Sequence, residues 1–164
     1  MFEKDGEYYL LFTRRTDKVR DHKGHISFPG GTKELEDVTL LDTALRECHE
    51  EIGLDPGDAE VLGQLDNFPT LETNYVITPY VASIPWPYEL KVSPAEVAEI
   101  IEAPIPVLMD KNNFRHETEE LDGAIITTYF YNYNGKIIWG ATARILTQFL
   151  DIYSQAKKDL EGEK

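Results

Sequence analysis

Glu47, Glu50 and Glu51 follow Arg46 within the run Thr43-Ala44-Leu45-Arg46-Glu47-Cys48-His49-Glu50-Glu51-Ile52-Gly53-Leu54. On a helix turning about 100° per residue, Glu51 falls about 40° to one side of Glu47 and Glu50 about 60° to the other. Leu41, Leu45, Cys48 and Ile52 gather on a separate, apolar face that can pack on a sheet. Three crowded carboxylates repel one another and raise one another's pKa values. The arrangement makes most sense around a hard divalent cation that prefers oxygen, such as magnesium or manganese. The same spacing also describes the solvated face of an ordinary amphipathic helix, and the spacing by itself leaves both readings open.

A second cluster has the opposite sign. Of the 16 Lys and Arg residues, Arg14, Arg15, Lys18, Arg20 and Lys23 fall within residues 14–23, beside His22 and His25, although the whole chain carries a net charge of -14. A basic island on an acidic chain suggests a local anion site, against the alternative of a solvated loop. The overall charge argues against general nucleic-acid binding, which needs excess cations along phosphate backbones.

These residues need elements to hold them. Glu7 to Thr13 reads as a buried strand, and Ile26 to Phe28 leads into the turn Pro29-Gly30-Gly31. A helix is expected from about Val38 to Ile52, stopped by Gly53 and Pro56. Further strands are expected at 59–67, 75–84 and 124–133, the last joined to 136–139 by the hairpin signal Asn134-Gly135. A final helix over about 141–156 places Ile145, Leu146, Phe149, Leu150 and Tyr153 on one face. Residues 93–101 fit either a helix start, with Ser93, Pro94 and Glu96 as cap, first position and capping box, or a short strand through Val97-Ala98-Glu99-Ile100-Ile101. The expected class is α+β, a mixed sheet with flanking helices.

With 164 residues, 41% of them hydrophobic, the chain suits one domain, expected over 1–156 with a charged tail at 157–164. No run approaches the length of a membrane span, and the start lacks a signal-peptide pattern. A lone Cys48 excludes an internal disulfide and argues against structural zinc. The expected compartment is the cytoplasm.

The Gly-Gly turn, Arg46 before the first carboxylate and Gly53 after the last make this region resemble the Nudix box, G-x5-E-x7-R-E-U-x-E-E-x-G-U, where U is aliphatic. Gly31, Arg46-Glu47, Glu50-Glu51 and Gly53-Leu54 match it. Asp37 stands where the first Glu is expected, eight residues rather than seven separate it from Arg46, and Cys48 occupies a U position. Leu11-Phe12-Thr13-Arg14-Arg15 and His22-Lys23-Gly24-His25-Ile26-Ser27-Phe28-Pro29-Gly30-Gly31 resemble the additional signature of coenzyme A pyrophosphatases, a Nudix subgroup that often carries the Asp and the extra residue. Thr78-Pro79-Tyr80-Val81, Glu96-Val97-Ala98-Glu99 and Trp139-Gly140-Ala141-Thr142-Ala143-Arg144 are similar to it as well, so the resemblance spans about 7–152.

That resemblance implies an α/β/α sandwich of the Nudix type. It implies metal-dependent cleavage of the diphosphate of coenzyme A or acyl-coenzyme A, giving 3′-phosphoadenosine 5′-phosphate and (acyl-)4′-phosphopantetheine. Hydrolysis of ADP-ribose or another nucleoside diphosphate derivative, or a non-catalytic coenzyme A sensor, are the alternatives. Glu47, Glu50 and Glu51, with the Gly30 carbonyl, are the implied metal ligands; Arg46 orients a carboxylate, expected to be Glu47. Glu47 and Glu96 are the base candidates, whereas His49 is expected to be exposed. Arg15, Arg20, His22 and Lys23 are expected near the anionic nucleotide, with Gly24 allowing close backbone approach and Phe28 shaping the site. Trp139 and Tyr80 are expected in the core. Relatives of this subgroup usually carry a further amino-terminal segment before the counterpart of Phe2. Were that segment absent, an edge of the sheet would be exposed or filled by another chain, and a homodimer is the expected arrangement in that case.

Overall fold

The computed structural model describes residues 1–18, 22–70, 75–121 and 123–162. In chain order the elements are β1 (Phe2–Lys4), β2 (Glu7–Arg15), β3 (Ile26–Ser27), α1 (Leu40–Ile52), β4 (Glu60–Gln64), β5 (Phe68–Pro69), β6 (Val76–Ile77), β7 (Tyr80–Ser83), β8 (Val97–Pro104), α2 (Ile105–Leu108), β9 (Phe114–Leu121), β10 (Ala124–Tyr133), β11 (Lys136–Trp139) and α3 (Gly140–Gly162). Strand pairings among the described residues are antiparallel. The class is α+β, as expected. Among these residues no helix is long and apolar enough to cross a membrane.

Two compact units divide the chain, Met1–Pro104 and Ile105–Lys164. In the first, β2 is the central strand. It pairs with β1 over its first residues, with β3 at its end, and with β8 along its length. Strand alternation puts Leu11, Thr13 and Arg15 on one face of β2, and Leu10, Phe12 and Arg14 on the other. Leu11 belongs to a core with Phe2, Ile52, Leu54 and Ile84, which seats the end of α1 against this face. The face carrying Arg15 is therefore the face that meets α1.

Residues 93–101 resolve as a strand. The Glu96 and Val97 amides close a single turn onto the Ser93 carbonyl, after which β8 begins. Val97, Ile101 and Ala103 are buried, and pairing with β2 supplies backbone partners that a short helix could not match. α1 starts two residues later than expected because Thr39 caps it. The Thr39 hydroxyl accepts from the Asp42 amide at 3.1 Å while the Asp42 carboxylate accepts from the Thr39 amide at 2.7 Å. The Gly53 amide closes the other end onto the His49 carbonyl.

In the second unit, β9, β10 and β11 form a three-stranded sheet packed by α3. Asn134-Gly135 makes the expected tight turn, both residues with positive φ, and the boundaries of β10 and β11 match the sequence reading. Ala143, Leu146, Phe149 and Leu150 are buried along α3, which runs on to Gly162, past its expected end at 156. Trp139, expected in the core, is exposed: it lies at the end of the edge strand β11, on the outward side of its pairing with Phe130. β9, with the sequence FRHETEEL, escaped the sequence reading because its polar composition lacks a strand signature; pairing with β10 makes it a strand.

Candidate active site

The segment 32–37 and α1 are joined through Arg46. Its Nε and Nη2 donate to Asp37 Oδ1 and Oδ2, both at 3.0 Å, and Nη2 also donates to the Thr32 carbonyl at 3.1 Å. Asp37 Oδ2 accepts further bonds from the Glu34 amide and the Thr43 hydroxyl, each at 2.9 Å. These donors, Arg46 foremost, hold the Asp37 carboxyl far below the usual carboxylate range, and Asp37 in turn raises Arg46. The expected orientation of Glu47 by Arg46 is present, Nη1 to Oε1 at 3.2 Å, but the same nitrogen also reaches Glu50 Oε2 at 3.1 Å. The fork-to-fork partner is Asp37, a residue the sequence reading left out of the site. Its place as the Asp ahead of the helix was the available signal.

Arg46 thus draws Glu47 and Glu50 toward one nitrogen. Glu51 differs: its residue is 3% exposed, although helical spacing alone put it on the outer face beside Glu47. The turn ahead of α1 covers it, with the Gly30 amide donating to Oε2 at 3.4 Å. Burial pushes the Glu51 carboxyl up to about 7; Gly30 and Arg15 oppose that shift, while Glu47 and Glu96 add to it. Burial also raises Glu47, against Arg46, with Glu50 and Glu96 contributing in the same direction. Glu96, at the turn before β8, therefore joins the carboxylate group. The Lys91 and Ser93 amides, which bind the Ile52 and Glu51 carbonyls at 2.8 and 2.9 Å, tie that segment to α1.

The two glycines of the turn have separate tasks. Gly30 adopts φ +147°, a region that side-chain-bearing residues avoid. At Gly31 a Cβ would stand 2.3 Å from Glu47 Oε1, so the absence of a side chain lets Glu47 lie over the backbone.

The other expected residues are placed as follows. Arg15 Nη1 lies 3.9 Å from Glu51 Oε1, bringing one residue of the basic island to the carboxylates. His22 and His25 have ring centroids 5.2 Å apart; burial, His22 and Arg15 lower the His25 pKa, so these three side chains share one neighbourhood. His22 has φ 55°, Gly24 has φ 69°, and Lys23 is exposed. Arg20 lies outside the described residues. Arg14 points to the opposite face and pairs with Glu99 at 3.0 Å. Phe28 stacks on the buried Phe12 at 4.6 Å, a packing contact. His49 is exposed, with Nδ1 3.2 Å from the Leu54 carbonyl. Tyr80 is half-buried. Burial in the core pushes the Cys48 thiol up to about 12, which makes it a poor nucleophile.

The donor set of this face is made of carboxylate and carbonyl oxygens, the chemistry of a hard divalent cation. Among the described residues no three His, Cys, Asp or Glu side chains converge closely enough to hold an ion as they stand. Glu47 and Glu50 each give one oxygen to Arg46 and keep the second. The buried Glu51 beside Glu47, together with the spare oxygens of Glu47 and Glu50, fits a divalent cation, whose charge would offset burial and mutual repulsion.

The NUDIX domain family matches residues 1–122 of the chain. A protein of Photorhabdus laumondii described as an uncharacterized Nudix hydrolase, NudL, is 37% identical over 139 residues, covering 85% of this chain and 74% of its own. A NudL of Yersinia pestis is 33% identical over 137 residues, covering 84% of this chain and 68% of its own. In fold, the chain resembles a C. elegans Ap4A hydrolase solved as a binary complex, with TM-score 0.52 and 14% identity over 62% of this chain and 72% of that one.

Proposed function

The chain belongs to the NUDIX domain family and is a Nudix hydrolase; on that premise we propose that it cleaves the diphosphate of coenzyme A or acyl-coenzyme A. The products are 3′-phosphoadenosine 5′-phosphate and 4′-phosphopantetheine or its acyl form. The observation that carries this reading is the meeting of the basic island with the carboxylate face at Arg15 and Glu51. Coenzyme A bears a 3′-phosphate beyond its diphosphate, and a chain selective for it needs cations next to the cleavage site as well as acids within it. Arg15 and Lys23 supply them, with His22 as a polar contact beside them and Arg20 as the further candidate from the sequence.

Nudix hydrolases in general use divalent cations. Here Glu47, Glu50 and Glu51, with the Gly30 carbonyl, would hold magnesium or manganese. When bound, the cation neutralises the diphosphate oxygens that otherwise repel a nucleophile. The protein's own groups do the rest. Asp37 and Arg46 fix the start of α1, so that Glu47 and Glu50 are presented from a rigid base. Burial keeps Glu51 from turning to solvent. Of the two base candidates, Glu96 is assigned proton removal from the attacking water, because Glu47 is already engaged by its bond to Arg46 and by its place in the cation's ligand set.

Purified protein incubated with magnesium or manganese and, separately, coenzyme A, acetyl-coenzyme A, ADP-ribose or NADH tests the proposal, with products identified by chromatography. Coenzyme A or acetyl-coenzyme A should be the preferred substrate. Preference for ADP-ribose overturns the substrate assignment, and cation-dependent binding without turnover favours a sensor. Glu96→Gln should lower kcat by about 100-fold or more while cation binding persists, weakened only by the loss of one nearby negative charge; a near-normal rate removes Glu96 as the base.

A further inference from the structure

Arg15 and Arg46 both reach the carboxylates, and they are bonded in opposite ways. Arg46 donates from Nε, Nη1 and Nη2 to Asp37, Glu47, Glu50 and the Thr32 carbonyl. Arg15 approaches Glu51 by one nitrogen at 3.9 Å, an ion pair too long to be a hydrogen bond. Its Nε is buried without a hydrogen-bond partner among the described residues. A buried, unbonded donor is costly to keep and calls for a reason.

The fold places this side chain there through the backbone. The Arg15 amide donates to the His25 carbonyl at 2.9 Å, and the register with β8 shifts at this residue, Arg14 pairing with Glu99 and Arg15 with Val97. Alternation along β2 then aims Arg15 at the face that meets α1. Its position opposite Glu51 is built by two strand pairings, whereas its bond to Glu51 is left loose.

We infer that Arg15 is a positioning residue that competes with the divalent cation for Glu51 and thereby sets the affinity for that cation. The inference rests on the placement of the cation at Glu51 in the proposed function. Without the cation, the guanidinium partly balances the buried carboxylate and holds it facing β2. As the cation arrives, that same positive charge opposes it. A hydrogen-bonded fork like that between Arg46 and Asp37 would lock Glu51 away; a 3.9 Å pair can be displaced.

Magnesium titrated calorimetrically into the full chain without substrate, at about pH 8.5 where free carboxylates are ionised, tests this. Arg15→Gln should bind magnesium about 10-fold more tightly than wild type, with Arg15→Lys within about twofold of wild type because it keeps the charge. Arg15→Met, which keeps much of the aliphatic stem, gives the same comparison should the Gln variant fail to fold. Equal or weaker binding by a folded neutral variant overturns the inference alone. Failure of the wild type to bind magnesium removes the cation assignment, and this inference with it.

Discussion

The two ends of the carboxylate row are held by the same chemistry to opposite effect. At the start of α1, Asp37 collects donors from Arg46, Glu34 and Thr43, and its charge is fully answered. At the far end, Glu51 is buried with one long amide bond and one long ion pair, and its charge is poorly answered. A carboxylate whose bonds are complete is a structural joint. One kept buried and underbonded is ready to accept a cation.

Glu51→Gln breaks the underbonded end and should have the largest effect, lowering turnover by at least about 100-fold with the circular dichroism spectrum unchanged. Glu50→Gln should do likewise, and near-normal rates in both remove the metal assignment. The Glu51→Gln variant carries a second signature in chelator. Below the ordinary glutamate value of 4.5, Glu51 is protonated folded and unfolded, so wild type and variant should melt alike. From there to about 7 the unfolded chain gives up the proton while the folded chain keeps it, and wild-type stability falls; above about 7 the full cost remains. The variant should therefore melt higher than wild type at alkaline pH. A lower melting temperature there contradicts the buried, underbonded state of Glu51.

The saturated end should respond differently. Asp37→Ala should lower the melting temperature as well as turnover, the latter by about 10- to 100-fold, because Arg46 loses its anchor and the turn its tie to α1. Arg46→Ala should be milder in turnover than loss of Glu50 or Glu51. Unchanged melting of the Asp37 variant shows that the joint is not structural. Gly31→Ala sharpens the comparison between the ends: a methyl group 2.3 Å from Glu47 Oε1 must displace that side chain, so kcat should fall by about 10-fold with little change in melting. The smallest effect is expected at Arg14→Ala. Its pair with Glu99 is partly exposed and faces away from α1, so stability should change by less than about 1 kcal/mol and turnover should hold. A large loss of activity there shows that the two faces of β2 are not functionally separate.

Much of the local structure was legible because it is set by short-range rules. The stop at Gly53 and the Asn134-Gly135 turn follow from the conformations those residues favour, whereas the cap at Thr39, which moves the helix start from Val38 to Leu40, went unread. The clustering of Glu47, Glu50 and Glu51 follows from helical geometry. Residues 93–101 were undecided because a capping pattern and a strand pattern overlap in them, and backbone partners on β2 decided between the two. β9 was invisible for the same reason: its strand character comes from β10.

The sequence by itself determined the kinds of groups at the site and their order along the helix, since residue type and helical spacing are local properties. It could not assign their electrostatic states. Glu50 and Glu51 are chain neighbours of identical type, yet the side chain of one is 52% exposed and that of the other 4%. That difference arises because the turn at Gly30 and the end of β2 close over one side of α1, and burial belongs to the assembled surfaces. The tertiary structure alone made Asp37 the anchor, left Glu51 underbonded and brought Arg15 opposite it, turning three equivalent letters into carboxylates with different roles.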